Sequence, residues 1–198
     1  MTGVRSTSML ATSPAVLARE MKVAPEAADA LRRAQVFLSD VAGPPDTDEE
    51  QRRLTSTLHA LDHASRLAET VGGVDFATVR DGQEDARAGQ LCADAMRIAT
   101  SVADDIAVLP GDDQTARAPP AASGARAPST DEALVRLERC ATELEKLQRT
   151  HRRATLGAVA EGTLTADAAI VRVDTLRSLQ ALARHAWRST VHLVGRDI

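Results

Sequence analysis

DEALVRLERCATELEKLQRTHRRATLGAVAEG (131–162) runs directly into TLTADAAIVRVDTLRSLQALARHAWRSTVHLVG (163–195), and the reading of this stretch decides the fold. Leu134, Leu137, Ala141 and Leu144 recur at three- and four-residue steps in the first half. Leu176, Leu179, Ala183, Ala186, Thr190 and Leu193 do the same in the second. That spacing puts one apolar stripe on each of two helices. Gly162 supplies a stop for the first helix, and Thr165, followed by Ala-Asp, an N-cap for the second. A link this short makes the pair an antiparallel αα-hairpin, and residues 131–195 form the C-terminal unit of the chain.

Upstream of the hairpin the composition changes. Residues 110–130 (PGDDQTARAPPAASGARAPST) contain Pro, Ala, Ser and Gly with almost no large apolar side chain, the signature of a flexible or extended linker. Residues 14–109 read as three further helices. The first starts at Ser13-Pro14, with Ser as cap and Pro in the first turn. Its broad apolar face carries Val16, Leu17, Met21, Ala27, Leu31, Ala34, Val36, Phe37 and Leu38. Pro25 is expected to break or kink it, because an interior proline removes a hydrogen bond and crowds the preceding turn. The second helix is capped by Asp46 or Thr47, has an acidic first turn, and buries Leu54, Leu58, Leu61 and Ala68. His59, Asp62, His63 and Arg66 fall on its outer or bordering faces. Residues 74–82 read as a loop, and a third helix from Gln83 to Leu109 turns Leu91, Ala95, Ile98, Val102 and Ile106 inward. Residues 1–13 are a Ser/Thr-rich tail.

The class is therefore all-α, an up-and-down antiparallel bundle of about five helices. With 2% aromatic residues and no Tyr, nothing alternates in the way a sheet requires. Charge is split: residues 1–109 carry 11 Lys and Arg against 17 Asp and Glu, whereas residues 130–198 carry 11 against 9. Neither half has the broad basic footprint or the stacking aromatics of a nucleic-acid binder. Cys92 and Cys140 are too few and too far apart for a disulfide framework or a zinc knuckle, so both read as packed thiols. No signal-peptide core and no bilayer-length apolar run occur, and a cytoplasmic location is expected.

Catalytic signatures are missing, including the nucleophile elbow, the P-loop and the dinucleotide fingerprint. Gly157–Gly162 has phosphate-loop spacing without the Lys-Ser/Thr or the preceding strand, and reads as a helix end. His59 and His63, four residues apart, share a face that Asp62 could complete as a metal site, but solvated helix surfaces carry such pairs readily. Asp81 and Asp85 read as the acidic start of a helix. Lys146, Arg149, His151, Arg152 and Arg153, continued by Arg184, His185, Arg188 and His192, make a basic face. Such a face either pairs with acids of the second and third helices or meets an anionic partner. Trp187 lies at the stripe and reads as a core anchor.

Two stretches resemble the PhoU-like helical domain of the sodium-dependent phosphate cotransporter family. They are LHALDHASRLAE (58–69) and a later pattern. The later pattern comprises His151-Arg-Arg, Leu156, Glu161-Gly162, Ala168, Leu176-Arg177 and LARHAWRSTVHL (182–193). The resemblance spans about residues 15–195 and implies a non-enzymatic regulatory or assembly role in phosphate transport or signalling, with no cofactor. Its partner would be a membrane phosphate transporter or a second copy of the chain, met at the inner face of the membrane. Arg149, Arg152, Arg153, Arg188 and His192 are the expected partner surface, and Asp62, His63, Arg66 and Glu69 the family-motif helix. PhoU proteins proper hold metal clusters through a Glu-Arg-x-x-Asp type motif repeated in each half. Here Ser65 stands at the first acid, before Arg66-Leu67-Ala68-Glu69, and Gln180 stands in the later helix, so no metal ligand is assigned. The membrane-spanning repeats that precede the domain in that family are not in this sequence, as expected of a detached module or a piece of a longer protein. A self-associating scaffold with no phosphate role is the alternative.

Overall fold

A computed structural model describes residues 14–40, 45–73, 83–107 and 129–196, with the side chains of residues 14–25 outside that description. These residues form five α-helices and no strand: α1 (Pro14–Asp40), α2 (Asp48–Gly73), α3 (Gln83–Ala107), α4 (Thr130–Ala160) and α5 (Ala166–Leu193). The tail, the 74–82 loop and the linker up to residue 128 lie outside the described residues.

The helix ends follow from local chemistry. Ser129 and Glu132 close a reciprocal capping box at the start of α4, each side chain accepting from the other's backbone N–H. Thr47 and Glu50 do the same for α2, so Thr47 is its cap. Thr165 caps α5 through Ala168 N–H. At the other end of α4, Gly162 takes φ +72° and donates to Val159 O while Thr163 donates to Ala158 O. Gly195 repeats that Schellman geometry after α5, with φ +75°. α1 is one helix through Pro25, so of the break or kink expected there the break does not occur. One proline forfeits one backbone bond, and the helices on either side of it continue.

α5 is the central helix, touching α2, α3 and α4, whereas α1 packs principally against α2. Leu137, Leu144, Leu176, Leu179 and Leu182 are almost completely buried where α4 and α5 meet α3, beside Ala88, Ala95, Val102 and Ala183. Each such leucine contributes about 1.5–3 kcal/mol relative to exposure. The short link between Ala160 and Ala166 makes α4 and α5 antiparallel, and Asp131 and Arg196 pair at one level across the open end of the hairpin. On α2 the register is set by two hydroxyls: Ser56 donates to His192 O (3.1 Å) and Ser189 to Ala60 O (3.0 Å).

Two expectations about which faces are covered need correction. Val36 and Phe37 on α1 are exposed, because the covered face is Ala27, Leu31, Ala34 and Leu38. Leu58 is 49% exposed, and the face of α2 that meets α5 carries Ser56, Ala60 and His63. Lying between α1 and α5, α2 has two covered faces, and the one toward α5 combines Ser56, Ala60 and His63 with Leu67 and Val71.

Candidate functional site

Four of the chain's five histidines line the α2–α5 seam. His59 and His63 come from successive turns of α2. His185 and His192, seven residues apart, come from one face of α5. The rings form a row in the order His185, His63, His192, His59, with centroids 5.4, 5.8 and 5.1 Å apart. His63 and His192 are near-parallel, at 12°. His63 Nδ1 and His185 Nδ1 stand 3.2 Å apart, so in the neutral pair one ring donates and the other accepts. His63 is half-buried, so of the outer and bordering faces expected for it the structure gives the bordering one, turned toward α5. Its nitrogen neighbour is His185 across the seam.

The electrostatics of the His63–His185 pair favour neutral imidazoles. Partial burial pushes the pKa of His63 below its ordinary value, and His185 pushes it further. His185 is lowered in the same sense, first by burial and then by Arg66 and Arg184. Asp62 opposes these effects, but its own carboxylate is tied to Arg66 Nε at 3.0 Å, which holds its pKa down. Asp62 and Arg66 thus form an i,i+4 pair on the solvent edge of the seam. Glu69, two turns on, is exposed beside the hollow between α1 and α2 with Leu31, Gln35 and Ser65.

The expected basic surface is split. With Asp131 and Arg196 at one level, Arg152 is level with about residue 175, and Arg188 lies about 13 residues (~20 Å) further along the hairpin axis. Arg149, paired with Glu145, and Arg152 and Arg153 are exposed on α4. Arg188 lies half-buried with its guanidinium 4.8 Å from the centre of the Trp187 ring, and His192 belongs to the seam. Trp187 packs against the core, as a core anchor should.

His151 leaves the basic face altogether. It is buried in α4, with Nε2 3.3 Å from Asp85 Oδ1 of α3 and Nδ1 3.3 Å from Thr155 Oγ1. Asp85 is 5% exposed and is thus no ordinary acidic helix start. A carboxylate, an imidazole and a hydroxyl in line suggest a nucleophilic triad. Thr155, however, is only 5% exposed, so no substrate reaches it, and the trio links α3 to α4 from inside. Both thiols pack as read, Cys92 buried and Cys140 half-buried, the latter's pKa raised first by burial and then by Asp94. Among the described residues no helix is long and apolar enough to cross a membrane. No protein-family model, curated protein or solved structure matches the chain.

Proposed function

We propose that this chain is a non-enzymatic helical module that works through protein–protein contact, and that its partner is a membrane phosphate transporter reached from the cytoplasmic side. One observation carries this reading. The segments that resemble the PhoU-like domain, residues 58–69 and the 182–193 part of the later pattern, lie on the two helices that pack together at the seam. Motif positions 129 and 122 residues apart thereby share one interface, with Ser189 donating to Ala60 O and His63 meeting His185. Arg152 and Arg153, exposed on α4, offer the cationic contact for an acidic loop of such a partner. Phosphate uptake in the native host, with and without the gene, tests the reading at low and high external phosphate. Altered uptake, or lost repression at high phosphate, is expected, and Arg152→Glu/Arg153→Glu should reproduce it with helicity intact. Unchanged uptake in both media would sink it.

A second reading, self-association without a phosphate role, draws on α1. That helix packs principally on α2 and leaves Val36 and Phe37 exposed, at 55% and 69%. Light scattering over a dilution series would show a concentration-dependent mass, and a strict monomer throughout would exclude it.

A further inference from the structure

We infer that His63 and His185 form a two-imidazole chelating site for a late transition-metal ion of the zinc–copper class, clamping α2 to α5. Imidazole nitrogen suits these ions, and a tetrahedral zinc with Zn–N bonds of ~2.0–2.1 Å holds two ligand nitrogens ~3.4 Å apart. A square-planar ion with similar bonds holds them ~2.9 Å apart. The observed separation of 3.2 Å between the two Nδ1 atoms falls between these edges. The two ligands come from different helices in a register already set by the Ser56 and Ser189 bonds, so chelation requires no rearrangement of the bundle.

Protonation favours the same outcome. A ligating imidazole must be neutral at its binding nitrogen, and burial keeps both rings below the usual histidine range. Moving the shared proton from Nδ1 to Nε2 of the donor ring frees the second nitrogen without changing the ring's charge. His192, stacked on His63 with centroids 5.8 Å apart, is the next imidazole in the row. Asp62 places a negative charge beside His63, partly offset by Arg66, Arg184 and Arg188. Among the described residues no three His, Cys, Asp or Glu already converge as a complete ligand set. The ion is thus held by two protein nitrogens and solvent, and is exchangeable, in contrast to a closed structural zinc site.

The metal test contains neither phosphate nor a partner, so it stands apart from the transporter reading. The full chain, stripped with chelator, is titrated calorimetrically with zinc and then copper. Binding near one equivalent is expected, with affinity at least tenfold weaker in His63→Gln and in His185→Gln, and within about threefold of wild type in His59→Gln. The copper complex should show coupling to two imidazole nitrogens in its paramagnetic resonance spectrum. Absence of binding, or binding unchanged in both variants, would overturn the site. If a variant loses helicity, zinc protection of His63 and His185 from diethylpyrocarbonate in the wild-type chain decides instead. Protection of both rings supports the site, and equal modification with and without zinc removes it.

Discussion

α5 presents two unlike faces to its neighbours. Toward α3 and α4 it turns Leu176, Leu179, Leu182 and Ala183, all buried and apolar. Toward α2 it turns His185, Ser189 and His192, which meet Ser56, Ala60, His59 and His63. The first face gains from removal of apolar area from water, which is insensitive to pH and to metals. The second gains from hydrogen bonds whose net worth is small and from contacts between imidazoles, two of which burial holds below the usual histidine range. One helix therefore anchors the fold on one side and carries an adjustable joint on the other.

The contrast breaks most visibly on the apolar side. Leu179→Ala removes a side chain that is 2% exposed, and the cavity should cost about 2–5 kcal/mol in denaturant unfolding. A cost below ~1 kcal/mol would mean that the leucine face is not the anchor.

On the other side the large variable is pH. His63 and His185 have folded pKa values below the ordinary 6.5, so both are neutral in folded and unfolded chains at high pH. As pH falls through 6.5 the unfolded chain takes up protons first, and stability drops until pH passes the lowered folded values. The melting temperature should fall between about pH 7 and pH 5, and the His63→Gln/His185→Gln double variant should flatten that slope. An equal slope in both proteins would assign the acid sensitivity elsewhere. Smaller again is Ser189→Ala, which removes one seam hydrogen bond and should cost about 0.5–1.5 kcal/mol.

The leucine face was legible in the sequence because one period, shared by residues 134–144 and 176–190, fits a single covered stripe on each helix; Leu193, read as the last member of that stripe, is 47% exposed at the end of α5. The stops were legible for the same local reason, since Gly162 and Thr165 need only their own turns. The seam was not, although its spacing is helical too: Ser56, Ala60 and His63 stand at i, i+4 and i+7, as do His185, Ser189 and His192. Hydrophobicity marks the most apolar face of a helix, and the second covered face of α2 mixes Ser56, Ala60 and His63 with Leu67 and Val71. His151 carried a similar signal, since it extends the buried Leu137–Leu144 line by one heptad, but its partner Asp85 is 66 residues away. Pairings at that range depend on how helices are arranged, which periodicity within one helix does not specify.

The finest test asks which face of α2 the bundle covers. By apolar pattern, Leu58 belongs to the inward stripe with Leu54 and Leu61, and Leu67 interrupts the Asp62–Glu69 polar run. By packing the ranking reverses. Leu67 lies against the core cluster, while Leu58 stands about half exposed. Leu67→Ser should therefore cost about 1–3 kcal/mol, since an apolar contact is lost and a hydroxyl is set against leucines. Leu58→Ser should change unfolding by less than about 0.5 kcal/mol, the usual range for a surface site. Equal losses at the two positions would mean that α2 is gripped as tightly on its apolar side as at the seam. The histidine row would then be one contact among several instead of the place where α2 is held to α5.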